Sequence, residues 1–316
     1  MRVRVLVAAL ALAAVGCSSG SSTTGSRPSA TPLPNVSVQG ASYSGSAPCG
    51  WRSTTTYRHV IWIWMENRTY SAVLGNGSEA PRLSAYAGKC GVATQSYAIT
   101  HPSLPNYLAA TSGSTGGVTT DCGPAQCPQK RNSLFGQILR AGKGWHSYVE
   151  SMPHNCDLSS GGRYAAKHNP AVYFTPVRSA CKSRDVPMGG SGGTFANALA
   201  QRTLPAFSFV TPDMCHDGHD CSTSAADSWL GTWLSRITSS ATYHAGHTVV
   251  FVTWDEGVGS NQRIATVVIA PTVPRGTRAS AHFTHYSLLR TTEELLGLPR
   301  LGAAAQARSM RGAFHL

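Results

Sequence analysis

His59-Val60-Ile61-Trp62-Ile63-Trp64-Met65 runs on without polar alternation and stops at Glu66-Asn67-Arg68. Such a run reads as a strand covered on both faces. His247–Trp254 repeats the pattern and stops at Asp255-Glu256-Gly257. Strands of this kind alternating with helices imply an α/β domain with a mostly parallel central sheet. Further strands are expected over Val92–Tyr97, Trp145–Val149, Ala206–Val210 and Ile264–Ala270. Helices are expected over Arg82–Ala87, Ser133–Ala141, Ala226–Ile237 and His285–Leu296.

In sheets of this type ligands bind beyond the carboxyl ends of the strands. Glu66-Asn67, the stretch from Glu150 to His154, Asp213 and Asp255-Glu256 each follow an apolar strand, in a chain with only 14 acidic residues. Any one of them alone would serve as a turn or a helix start; together they mark a site. Carboxylates gathered at the ends of buried strands repel one another and are poorly solvated, and a divalent cation offsets both penalties. Oxygen ligands from Glu66, Asn67, Asp255 and Glu256, completed by a hydroxyl, suit one Mg, Ca or Mn ion better than Zn.

The hydroxyl is found in Thr100-His101-Pro102-Ser103-Leu104-Pro105-Asn106-Tyr107. Proline is tolerated in the first turn of a helix, so Ser103 is expected at or near a helix N-terminus, where an anion is favoured. Alone, Ser103 would read as an N-cap. Beside a cation its alkoxide becomes accessible, and it can act as a nucleophile. His168, His219 and His285 stand in loop or helix-start contexts. Protonated, they could bind phosphate oxygens and protonate a leaving alcohol, which implies activity on the acid side of neutrality.

With 316 residues, 41% of them hydrophobic, the chain can bury the core of roughly one large domain. The formal net charge of +12 suits an anionic substrate or surface, but the basic residues are scattered singly, so no nucleic-acid partner is expected. Residues 1–17 have the layout of a secretory signal, with Ala14-Val15-Gly16-Cys17 resembling a lipoprotein cleavage box. Cys17 is therefore a candidate lipidation site and membrane anchor, though simple cleavage is the alternative. Residues 18–47 are rich in Ser, Thr, Gly and Pro and read as a tether, leaving 48–316 as the folded domain. Setting Cys17 aside leaves an even set of cysteines, as expected of a secreted or cell-surface protein. Spacing suggests Cys122–Cys127, Cys156–Cys181 and Cys215–Cys221, with Cys49–Cys90 by elimination.

From about His59 to Pro299 the chain resembles the bacterial phosphoesterase family that includes phospholipase C and metal-dependent acid phosphatases, a branch of the alkaline phosphatase superfamily. The resemblance rests on Met65-Glu66-Asn67-Arg68, Ser103-Leu104-Pro105-Asn106, Lys167-His168-Asn169-Pro170, Asp213 to His219, Trp254-Asp255-Glu256-Gly257 and His285-Tyr286-Ser287-Leu288-Leu289-Arg290. It implies a three-layer alkaline phosphatase-like fold and a phosphoseryl intermediate on Ser103. By the same resemblance Glu66, Asn67, Asp255 and Glu256 are metal ligands with Ser103, while Asn106, His168, His219 and His285 hold phosphate or act as acids. Several phospholipase C relatives carry threonine at the nucleophile, and many have extra domains for which there is no room here. That leans toward a compact phosphatase acting on a phosphorylated small molecule. A phospholipase C-like phosphodiesterase acting on a phospholipid head group, or a non-catalytic surface lipoprotein of the same fold, are the alternatives.

Overall fold

The computed structural model describes residues 47–316. The expected signal segment, Cys17 and the expected tether up to residue 46 lie outside the described residues. Strand β1 (His59–Met65) occupies the middle of a sheet with nine strands among the described residues. With β2 (Gly91–Tyr97), β3 (Trp145–Val149), β4 (Asp185–Pro187), β5 (Phe207–Thr211), β6 (Thr248–Trp254), β7 (Arg263–Ile269) and β8 (Thr277–Ala279), the order is β4-β3-β5-β1-β6-β7-β2-β8. A short β9 (Phe283–Thr284) pairs with β2.

β1 pairs in parallel with β5 and β6, placing Trp62 beside Phe209 and Phe251. Every residue from Val60 to Met65 is fully buried, which is why the run lacks polar alternation. Successive side chains point to opposite faces. Trp62 and Trp64 share one face, where Trp62 Nε1 donates to Thr292 Oγ1 at 2.9 Å and Trp64 packs on His285 at 4.8 Å between ring centroids. β7 alone runs against its neighbours β6 and β2. Between Trp254 and Arg263 the chain makes only a tight loop, bridged at Val258 and Asn261; returning in parallel would need a crossover of a dozen or more residues.

The helices are α1 (Tyr70–Leu74), α2 (Pro81–Lys89), α3 (Ser103–Ser112), α4 (Leu134–Arg140), α5 (Arg178–Arg184), α6 (Thr194–Ala200), α7 (Thr223–Ser239), α8 (Ala241–His244), α9 (His285–Leu296) and α10 (Arg311–Phe314). One set, α1, α2, α6, α7 and α8, packs together, and α3, α4 and α9 form another. A sheet buried on both faces between two helix sets is the three-layer arrangement expected. α3 is buried along its whole length. It ends at Gly113, whose φ of +74° and close approach to the Leu301 carbonyl leave no room for a side chain.

The three disulfides expected from spacing, Cys122–Cys127, Cys156–Cys181 and Cys215–Cys221, and the one expected by elimination, Cys49–Cys90, are present. No helix among the described residues is long and apolar enough to cross a membrane.

Asp185 lies fully buried against the Cys156–Cys181 disulfide, and Asn169 Nδ2 donates to its Oδ2 at 2.8 Å. Burial pushes its carboxyl up to about 7, from 3.8. A folded-state value raised above the unfolded one means that the folded chain holds a proton the unfolded chain releases. The stabilisation is complete below about pH 4 and is lost as pH rises toward 7, a change of roughly 4 kcal/mol. Asp185→Asn, which mimics the protonated acid, is expected to gain stability relative to wild type across that window. Urea unfolding at about pH 4 and about pH 7.5 checks this, and an equal difference at both would refute it.

Candidate active site

Four neighbouring parallel strands end on one edge of the sheet, and a carboxylate follows each: Glu150 after β3, Asp213 after β5, Glu66 after β1 and Asp255 after β6. Backbone bonds set the two central ones, Glu66 N donating to the Asp217 carbonyl at 3.0 Å and Asp255 N to the Met65 carbonyl at 2.9 Å. Glu66, Asp255 and Glu256 are all buried. The carboxylates that follow β3 and β5 do not join them. Glu150 and Asp213 instead surround His216, whose Nδ1 is 2.9 Å from Glu150 Oε2 and 3.4 Å from Asp213 Oδ1.

Asn67 sits at the focus of the central group. Its backbone N–H donates to Asp255 Oδ1 at 3.0 Å. The terminal atom of its side-chain amide that points inward is 3.1 Å from Glu66 Oε2 and Asp255 Oδ1, and 3.2 Å from Asp255 Oδ2 and Glu256 Oε1. Turned one way that atom is an NH2 group donating to carboxylates. Turned the other way it is a further oxygen among them, and only a cation reconciles oxygens so placed. Burial, followed by Asp255 and then Asp217, pushes the Glu66 carboxyl well above the ordinary range. Glu256 is pushed up to about 7 by burial and then by Asp255, and burial also raises Asp255. The protein alone does not balance this charge, and the all-oxygen donor set fits a hard divalent ion.

Ser103 is the first residue of α3, directly after Pro102, and is 1% exposed. Its Oγ donates to Glu66 Oε2 at 3.1 Å. One helical turn on, the Tyr107 hydroxyl donates to Glu66 Oε1, and its ring stacks on His168 at 5.5 Å. His168 is itself buried, with Nε2 3.2 Å from Glu66 Oε2 and Nδ1 3.2 Å from Asp217 Oδ2, both too far off line to be hydrogen bonds. His219 lies 5.7 Å away ring to ring, partly exposed, with Nδ1 bonded to Asp220 Oδ1 at 2.7 Å. His285 opens α9 and its Nε2 bonds to the Asp255 carbonyl at 2.5 Å.

Two expectations change. Burial, reinforced by Lys167, pushes His168 down to about 3, and burial pushes His285 down to about 4. In the protein alone burial favours the neutral form of both, His285 bonded to the Asp255 carbonyl and His168 with its Nε2 unbonded, rather than the positive charges expected of loop histidines. Asn106 does not face the carboxylates. Its Oδ1 accepts from Ile99 N at 2.9 Å and Thr100 N at 3.1 Å, and its Nδ2 donates to the carbonyls of Thr100 and Pro102 at 2.8 and 3.2 Å. With all four positions taken, Asn106 braces the turn that presents Ser103 and has none left for phosphate.

Sequence reasoning missed Tyr107, Asp217, His101 and Asp121. Tyr107 was within reach, because residues four apart share a helix face. His101 Nδ1 bonds Glu256 Oε2 at 2.7 Å. Asp121 Oδ1 accepts from Leu104 N at 3.0 Å and its Oδ2 from Lys167 Nζ at 2.8 Å. These last contacts join distant segments, and no local signal announces them.

Residues 76–299 match the Phosphoesterase family. The chain is 35% identical over 254 residues to a phosphatidylinositol-3-phosphatase of Mycobacterium tuberculosis, covering 80% of this chain and 81% of that protein. It is 29% identical over 308 residues to a phosphate-repressible acid phosphatase of Penicillium chrysogenum, covering 94% of this chain and 71% of that protein. A solved structure of an alkaline phosphatase superfamily protein from Vibrio parahaemolyticus superposes with a TM-score of 0.53 at 12% identity, covering 81% of this chain and 71% of that one, a likeness of fold. Ordered motifs, sheet-end carboxylates and sequence similarity agree: the chain belongs to the Phosphoesterase family.

Proposed function

We propose that this phosphoric-ester hydrolase is an exported acid phosphatase that cleaves phosphomonoesters through a phosphoseryl intermediate on Ser103. The observation that carries the reading is Ser103 Oγ at the start of a ten-residue helix, bonded to a buried carboxylate in an all-oxygen cluster. Glu66, Asn67, Asp255, Glu256 and Ser103 would hold one divalent cation, which offsets phosphate charge and favours the serine alkoxide when bound.

The chain's own residues do the rest. Glu66 Oε2 accepts the Ser103 proton, and the N-terminus of α3 favours the incoming anion. Ser103 Oγ bonds to phosphorus as the bond to the alcohol breaks. His219, partly open to solvent and held by Asp220, is placed to protonate the departing oxygen. Water then attacks the phosphoserine, releasing inorganic phosphate and restoring Ser103. His285 positions the Asp255 loop as a neutral group, and His168 packs against the Tyr107 ring beside Glu66. Both relatives are named as phosphatases, which favours monoesters over the phospholipase C-type diester reading. Export is supported by the disulfides and the signal-like N-terminus, with Cys17 the candidate lipid anchor.

Turnover of p-nitrophenyl phosphate, bis(p-nitrophenyl) phosphate and phosphatidylcholine, measured across pH with Mg, Ca or Mn, tests this reading. Monoester hydrolysis on the acid side of neutrality is expected. Faster cleavage of either diester would replace it with the phosphodiesterase reading. No turnover of any of the three, with metal present, would leave a binding lipoprotein.

A further inference from the structure

Beside Asp121, whose carboxylate holds the Leu104 N–H, the loops line an open cleft of about 480 Å³, within the size range that holds small molecules. Three polar residues of its wall are tied directly to the site. Asp121 takes the Leu104 N–H beside the nucleophile, Lys167 precedes His168 and is paired with Asp121, and Asp220 holds His219. These contacts run the cleft wall beside both the helix that carries Ser103 and the proposed acid His219.

Resting on the phosphomonoesterase reading, we propose that the cleft binds the alcohol part of the substrate, and that this alcohol is an uncharged, polyhydroxylated ring. Its wall carries one ammonium against two carboxylates, Lys167 against Asp121 and Asp220, so a second phosphate gains no net attraction there. The same groups accept from and donate to hydroxyls. Leu158 is the one large exposed hydrophobic side chain on the cleft among the described residues. Two acyl chains would find little apolar surface to cover. Sugar phosphates, nucleoside monophosphates and inositol monophosphates share the ring chemistry that fits.

Gly161 lines the cleft, and a Cβ added there meets nothing within 4 Å. Gly161→Phe should fill the cleft without disturbing the catalytic groups, with Gly161→Ala as its control. The rate constant kcat/KM is measured for glucose 6-phosphate, adenosine 5′-monophosphate, inositol 1-phosphate, ring-free glycerol 3-phosphate and dioctanoyl phosphatidylinositol 3-phosphate. Wild type is expected to favour at least one ring monoester over both glycerol 3-phosphate and the lipid by about tenfold or more. Gly161→Phe should lower the ratio of kcat/KM for that ring monoester to kcat/KM for glycerol 3-phosphate by about tenfold, with a smaller fall for Gly161→Ala. Equal rates for ring and ring-free substrates, or a preference for the lipid, would overturn the proposal even if the Phe variant does not fold. A folded Phe variant that lowers all rates equally would also overturn it. Absence of turnover with every monoester sinks the phosphatase reading and this one with it, whereas turnover without ring preference sinks this one alone.

Discussion

Ser103→Ala is expected to lower phosphomonoester turnover by roughly 10³-fold or more, the scale of loss when a covalent nucleophile is removed. The fold should survive. Ser103 occupies the first position of α3, where its side chain caps nothing, and alanine is the better helix former. The hydroxyl donates to Glu66 Oε2 beside Asp255, and Glu66 Oε1 keeps the Tyr107 hydroxyl. Thermal unfolding of the variant without metal should therefore resemble wild type, while the rise in melting temperature on adding metal should be smaller, because one of the five ligands is gone. Activity above about a tenth of wild type would place the nucleophile elsewhere, given the size of loss expected.

Chelation should abolish activity, and Asp255→Asn should weaken metal binding by at least about 100-fold, because even partners one step removed from a metal cost 10–100-fold. The substitution keeps an oxygen for the Asn67 N–H that Asp255 Oδ1 now accepts. It also removes one of the buried charges that push Glu66 and Glu256 upward. Without metal, Asp255→Asn should therefore be more stable than wild type, since it relieves repulsion that no cation offsets. With metal the order should reverse, because wild type gains binding energy that the variant has lost. Melting temperatures of both proteins with and without Mg, Ca or Mn, alongside metal analysis, decide the matter. A wild-type enzyme that binds no ion, melts unchanged with added metal and keeps full activity in chelator would remove the cation from this site.

The sheet was legible because it is buried on both sides. Val60 to Met65 and Thr248 to Trp254 sit between helix layers, so every position is apolar or small and the pattern survives without context. Glu66 and Asp255 stood out for the complementary reason: a carboxylate at the end of such a strand conflicts with its surroundings unless something charged meets it. Ser103 could be placed because prolines at Pro102 and Pro105 announce a helix start. The cysteine pairings followed from short spacings, with the last by elimination. Apart from Cys49–Cys90 and Cys156–Cys181, whose partners lie 41 and 25 residues apart, these are local, within a strand, a turn or a loop.

What the tertiary structure decided is of another kind. That β7 runs antiparallel follows from the shortness of the loop that returns it, visible only once its partners are known. That Asn106 braces a turn rather than holding phosphate depends on carbonyls and amides converging from Ile99 to Pro102. His168 and His285 looked like solvated loop residues in the sequence, and the fold buries both, reversing the expected charge. Asp121, Asp217 and the cleft beside Lys167 belong to segments far apart along the chain. The sequence determined which residues could do chemistry and where strands deliver them; burial and long-range contacts, which no spacing encodes, determined their protonation, their partners and the space left for a substrate.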